Sequence, residues 1–168
     1  MNLTKTYKWL TYFLAIPTSI IALFALIGVL IAFANPQFLI PVFVLVCIVL
    51  YIISSYIFLN KVLIKQGNCR KVIKDLIKIN AFASLFFSIL NIIQFITILS
   101  TPSFVDATIA GILEQNQASF STVITKAQMV TIFWVVTSIL SIFSIALIAH
   151  IVMSFKLIKL HSESFLND

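Results

Sequence analysis

Four long runs of apolar positions dominate the sequence, and short polar connections separate them. The runs cover residues 9–34, 38–60, 79–100 and 128–154, and none of them contains Asp, Glu, Lys or Arg. A helix needs about 20 mostly apolar residues to cross a bilayer, so each run is long enough. The pattern predicts an all-α integral membrane protein, a single domain over residues 1–168 in which four transmembrane helices form an antiparallel up-down bundle.

The longest connection, residues 101–127, carries a helical pattern of its own. Ser103 and Asp106 have the spacing of a capping box, which marks the start of a helix. The positions that follow place one largely apolar face at helical spacing: Phe104, Val105, Thr108, Ile109, Ile112 and Leu113. We therefore predict a short amphipathic helix in this third connection, lying at the membrane interface or over the end of the bundle.

The composition excludes an ordinary soluble domain. Of the 168 residues, 61% are hydrophobic and 10% are charged, whereas soluble domains are about 45–50% apolar and about 25% charged. A soluble fold of this length could not bury so much apolar surface. Ten lysines against one arginine, with abundant Ile, Phe and Asn, favour an AT-rich genome and a bacterial source.

The distribution of charge predicts the orientation in the membrane. The N-terminus, the second connection and the C-terminal tail carry two, six and two basic residues, whereas the first and third connections carry none and one. Cytoplasmic loops of membrane proteins carry the excess of Lys and Arg. We therefore expect both termini in the cytoplasm, residues 101–127 on the extracytoplasmic side, and a bacterial inner membrane as the location.

The second connection, residues 61–78, holds most of the basic residues: Lys61, Lys65, Arg70, Lys71, Lys74 and Lys78. Gly67-Asn68 is a turn signal inside it, and the residues after Arg70 form an amphipathic start to the third helix. Lysines at this position contact anionic lipid headgroups at about 1 kcal/mol each; a cytoplasmic protein partner is the alternative. We expect no nucleic acid partner, because no recognition fold or aromatic residue accompanies the charge.

Polar residues inside the third and fourth runs form two stripes, which together define a candidate intramembrane polar cluster: Ser84, Ser88, Asn91, Gln94, Thr137, Ser141 and Ser144. Hydrocarbon offers no hydrogen-bond partners, so these groups need partners within the protein. One interpretation is that the stripes face each other and hold the two helices together. The alternatives are a polar pathway or small-solute site around Asn91 and Gln94, and an interface with another protein.

Two further features lie near the ends of the chain. The first run has small residues at about heptad spacing, Ala15, Thr18, Ala22, Ala25 and Ala32. These favour close packing within the bundle, with self-association as the alternative.

His150 lies about one turn from the end of the last run, and we expect its polar edge to reach the headgroups. The tail after this run is expected to be flexible.

The chemistry-bearing residues do not point to an enzyme. No group of Cys and His has the spacing of a metal site, and no Ser/His/Asp or Cys/His arrangement stands out. We therefore predict neither catalysis nor a cofactor. The function expected is that of an accessory, scaffold or interaction subunit, which associates with a membrane protein partner or with itself. The alternative is an oligomeric channel or small-solute transporter with a polar face on the third span.

Overall fold

The computed structural model describes residues 3–115 and 125–166, and these are nearly all helical. The helices are α1 (Leu3–Ala34), α2 (Leu39–Phe58), α3 (Lys71–Ser100), α4 (Pro102–Gln115) and α5 (Lys126–Leu160). A 3-10 turn, Pro36–Phe38, leads into α2, and a π-helical segment, Leu59–Ile64, extends it.

Four helical segments are long and apolar enough to cross a membrane: Leu3–Ala34, Pro36–Ile64, Lys71–Ser100 and Lys126–Leu160. Large apolar side chains stand on their outer faces, and Trp9, Ile16, Phe33 and Ile40 are each more than 70% exposed. Soluble monomers rarely expose apolar surface of this extent. The helices therefore suit a membrane location, as the sequence predicted.

The described residues divide into two compact units, Met1–Phe87 with Ala146–Asp168, and Ser88–Ile145. In the first unit α1 packs against α2. Thr18, Ala25 and Ala32 repeat every seven residues along α1 and are buried. A β-carbon added at Gly28 would lie 2.7 Å from Cγ2 of Val42, so the two helices approach closely there. Small side chains permit this approach.

The basic connection pairs with the C-terminal tail. Two-residue strands β1 (Cys69–Arg70) and β2 (Phe165–Leu166) run parallel, with Cys69 opposite Phe165. The Phe165 ring stacks on Phe58 at 5.6 Å, and Nζ of Lys74 lies 5.4 Å from its centroid. The expectation of a flexible tail is therefore wrong for Phe165–Leu166, because an aromatic side chain in the tail finds a partner on α2.

The turn before β1 differs in detail from the predicted one. Its left-handed residue is Gln66, with φ of 52°, and not Gly67. The backbone N–H of Gly67 donates to the carbonyl of Lys61 at 2.9 Å, which closes the end of the π-helical segment.

In the second unit α4 packs through its apolar face. Val105 and Ile109 are buried in one cluster with Ile98 of α3, and residues of α5 pack around them: Met129, Val130, Phe133 and Trp134. The side chains of Phe104, Ile112 and Leu113, which the sequence placed on the same face, lie outside the described residues. A salt bridge joins Asp106 to Lys126 at 3.4 Å, but both side chains are exposed, so its contribution to stability is small.

A reciprocal cap begins α5. The N–H of Gln128 donates to Oγ1 of Thr125 at 3.3 Å, and the N–H of Thr125 donates to Oε1 of Gln128 at 2.9 Å. This Thr-x-x-Gln arrangement is a capping box, which the sequence analysis did not single out.

Candidate functional site

The first unit contains a cluster of buried polar side chains that three helices contribute. Each helix supplies a pair four residues apart: Tyr7 and Thr11 on α1, Tyr51 and Ser55 on α2, His150 and Ser154 on α5. Residues four apart lie on the same face of a helix, one turn above the other. Five of these six residues form hydrogen bonds, and we refer to Tyr7, Thr11, Tyr51, His150 and Ser154 as the His150 cluster. Oγ of Ser55 is buried without a hydrogen-bond partner among the described residues.

Both ring nitrogens of His150 have hydroxyl partners. Nε2 lies 2.9 Å from Oγ1 of Thr11, and Nδ1 lies 2.7 Å from Oη of Tyr51. The Thr11 hydroxyl donates its single hydrogen to the carbonyl of Tyr7 at 2.8 Å, so its oxygen can only accept from Nε2–H. In a neutral imidazole Nδ1 is then the acceptor, and Tyr51 donates to it.

The rest of the cluster encloses the imidazole. The Ser154 hydroxyl donates to Oη of Tyr7 at 3.1 Å and lies 2.9 Å from Oη of Tyr51. The Tyr7 ring stacks on the imidazole at 4.5 Å, and the Tyr51 ring meets it edge-on at 5.5 Å. These contacts link α1, α2 and α5 through residues 99 to 147 positions apart in sequence.

The cluster is closed. All five side chains are 0% exposed. Buried polar groups are costly unless they are hydrogen-bonded, and each member here has at least one partner within the cluster. The arrangement can hold three helices in register, but it offers no face to a substrate.

The expectation that His150 reaches the headgroups is therefore wrong. It rested on distance from the helix end alone, whereas burial depends on which way the side chain points. Polar pairs four residues apart recur near one end of three apolar runs. This pattern in the sequence could have indicated the cluster.

The predicted polar cluster lies partly in each unit. Ser84 is buried in the first unit. In the second unit Ser88, Ser141 and Ser144 are buried, Asn91 and Thr137 are half-buried, and Gln94 is exposed. On α5, Thr137 donates to the carbonyl of Phe133 and Ser141 donates to that of Thr137 at 2.8 Å, so both hydroxyl hydrogens bond within their own helix. A polar cluster formed between the two stripes stays a prediction.

The basic residues of the second connection are mostly available at the surface. Lys74 is half-buried against Phe165, and the others are exposed: Lys61, Lys65, Arg70, Lys71 and Lys78. Their contact with anionic headgroups or a cytoplasmic partner stays a prediction.

An apolar groove runs between α1 and α2. It consists of two open-sided cavities of about 280 and 270 Å³, and Ala22 and Val49 line both of them. The first also meets Ala15, Thr18, Ser19 and Tyr56, and the second meets Ala25, Val29 and Val46. The small-residue stripe of the sequence is thus divided: Thr18, Ala25 and Ala32 are buried, whereas Ala15 and Ala22 are half-buried and form the floor of this α1–α2 groove.

Comparison of the chain with protein-family models, with curated proteins and with solved structures gave no match in any of the three. The functional interpretation therefore depends on the geometry of the His150 cluster, the groove and the basic connection.

Proposed function

We propose that this protein is a small multi-pass membrane protein without catalytic activity, which acts by association as an accessory, scaffold or interaction subunit. The observation that carries the proposal is the closure of the His150 cluster. The histidine, both tyrosines and both hydroxyl residues of the cluster have no exposed surface, and they bond to one another. This supports a structural role for the residues that would be the natural candidates for chemistry.

In the part of the chain that the structure describes, two surfaces are candidates for interaction, one within the apolar span and one outside it. The α1–α2 groove is apolar and open at its side. The basic connection exposes Lys61, Lys65 and Lys78. We place the basic connection and both termini in the cytoplasm of a bacterial cell, because ten of the eleven basic residues lie on that side. There the lysines meet anionic headgroups.

Affinity capture of the full chain in a mild detergent, with the mass of the complex measured, tests the proposal. We expect a defined complex heavier than the 18.8 kDa chain. The loss of a cellular phenotype in groove variants that still fold would support association as the function.

A monomer under all conditions, together with solute or ion flux in vesicles that hold the purified protein alone, would contradict the proposal. That outcome would favour the channel or transporter alternative. Replacing Gln94 by Leu should then abolish the flux, because this exposed amide lies on the predicted polar face of α3.

A further inference from the structure

The C-terminal tail, residues 161–168, contacts the basic connection and the end of α2 through Phe165. The backbone of this residue pairs with Cys69, its ring stacks on Phe58 at 5.6 Å, and Nζ of Lys74 lies 5.4 Å from the ring centroid. Both paired strands are two residues long, and the attraction between a cation and an aromatic ring is weak at a partly exposed site. A competing interaction can therefore displace the tail.

Lys74 is the basic residue that holds the Phe165 ring. It is half-buried, whereas the other five basic residues of the connection are exposed. Lys74 lies in the first turn of α3, a helix of membrane-spanning length, so lipid headgroups lie within reach of its side chain. A headgroup phosphate carries a full negative charge, but the face of a Phe ring carries only a partial one. An anionic bilayer surface therefore competes with Phe165 for the Lys74 ammonium.

The tail and the basic connection also carry charges of opposite sign. The connection has six basic residues and one acid, Asp75, whereas the tail has two acids, Glu163 and Asp168, and no Lys or Arg. On a neutral bilayer these charges attract each other and favour the docked tail. An anionic surface attracts the basic connection and repels the acidic tail. Both effects favour release of the tail.

We propose that the charge of the membrane surface controls the docking of the tail. On neutral lipid, Phe165 stays against Phe58 and Lys74. On an anionic surface the Lys74 ammonium binds a headgroup phosphate, the tail leaves, and Cys69 and the Phe58 ring are uncovered. The inference rests on the part of the proposed function in which the basic connection meets anionic headgroups, and it adds that this contact regulates the tail.

Dipolar coupling between two spin labels on the full-length chain tests the proposal. The labels are attached at Asn68→Cys and Ser162→Cys, both at exposed positions, in a chain with Cys47→Ala and Cys69→Ala. In the docked state the two backbone positions lie within about 20 Å of each other, because each is close to the strand pairing. We expect strong coupling in phosphatidylcholine vesicles and a progressive loss of coupling as phosphatidylglycerol replaces phosphatidylcholine.

Three variants separate the contributions. Lys74→Gln removes the cation from the ring and should reduce the ratio of docked to released tail on neutral lipid about 2- to 5-fold. Lys71→Gln is the matched control, because it makes the same change at an exposed position of the same helix and should leave this ratio nearly unchanged. Glu163→Gln removes an exposed acid from the tail and should weaken the response to phosphatidylglycerol. Thermal unfolding in detergent shows whether each variant is folded.

A further measurement distinguishes the membrane surface from free anions. Inorganic phosphate, added to phosphatidylcholine vesicles at constant ionic strength, should leave the tail docked. The proposal is wrong if phosphatidylglycerol does not change the coupling, if free phosphate releases the tail equally well, or if Lys71→Gln and Lys74→Gln have equal effects on neutral lipid. A defined complex captured in mild detergent would still support the accessory role in each of these cases.

Discussion

His150 is a polar residue of α5 that is buried against two other apolar helices, α1 and α2. Its two ring nitrogens meet hydroxyls from two different helices, and Tyr7 covers one face of the ring. Hydrogen bonds between membrane helices contribute about 0.6 kcal/mol each on average, because the unfolded chain also finds partners. The larger cost arises when one partner is removed and the other stays buried without a bond.

Tyr51→Phe should therefore destabilise the protein by about 1–3 kcal/mol, because it leaves Nδ1 of His150 without its donor. The midpoint of unfolding in a mixed-detergent titration measures the change. Tyr56→Phe is the matched control, since Tyr56 is 43% exposed and lies outside the His150 cluster. Equal midpoints for Tyr51→Phe and the wild type would show that the cluster does not hold the helices together.

Cys69 should be a slow target for alkylation. It is 2% exposed, and burial raises the pKa of its thiol, although Lys61 and the backbone N–H of Arg70 act in the opposite direction. A raised pKa leaves less of the reactive thiolate at a given pH. We expect little reaction with a maleimide at neutral pH, a rate that rises through the alkaline range, and fast reaction after unfolding.

Two variants calibrate this measurement. Asn68→Cys in a Cys69→Ala chain places a thiol at an exposed neighbouring position and should react at once. Phe165→Ala removes the ring that stacks on Phe58 beside strand β1 and should speed the reaction of Cys69. If Cys69 reacts as fast as Asn68→Cys in the folded protein, the pairing of the tail with the basic connection is absent in solution.

At the scale of elements, the packing of α1 on α2 depends on side-chain size more than on polarity. Thr18, Ala25 and Ala32 form the buried seam, and Gly28 permits the closest approach. The same small residues produce the groove at the edge of the seam, because Ala15 and Ala22 do not fill the space beside Val49. The small residues of α1 therefore produce both the close contact between α1 and α2 and the open groove beside it.

Gly28→Ala should destabilise the α1–α2 pair by about 1–3 kcal/mol through overpacking. Its β-carbon would meet Cγ2 of Val42, a β-branched side chain that is 8% exposed and cannot easily rotate away. The second change Val42→Ala should restore most of the loss. Unfolding in detergent measures both variants.

Gly111→Ala is the control for this pair, because a β-carbon there has no atom within 4 Å. It should be neutral or stabilise α4 by up to about 1 kcal/mol. If Gly28→Ala lowers the stability and Val42→Ala fails to restore it, the contact between positions 28 and 42 does not limit how closely the two helices approach.

For the molecule as a whole, the topology that we propose rests on the four membrane-length helices and on the unequal distribution of charge. The exposed apolar side chains are consistent with a membrane around the helices. The side of the membrane on which each connection lies is a separate question, and the counts of basic residues address it.

An impermeant maleimide applied to intact cells tests the topology. Single cysteines at exposed positions, Gln37→Cys in the first connection and Asn68→Cys in the second, are compared in a chain in which both native cysteines are replaced, Cys47→Ala and Cys69→Ala. Gln37→Cys should be labelled from outside, and Asn68→Cys only after the cells are opened. The reverse pattern would invert the proposed orientation.

The amino-acid sequence is enough to predict the helical class, the number of membrane-length helices and the bias of charge. These properties are sums over contiguous segments, so hydropathy and a count of lysines capture them. It also indicated that small residues on α1 would be used for packing, and Thr18, Ala25 and Ala32 are indeed buried.

Which polar residues contact one another is visible only in the folded protein. The contacts of the His150 cluster join positions 99, 139 and 147 residues apart, and they depend on how each helix is rotated about its axis. Successive side chains turn by 100° in a helix, so local pattern does not fix which faces meet. For the same reason, the sequence indicated small residues on α1, but only the packing against α2 left Thr18 without a partner beside an open groove.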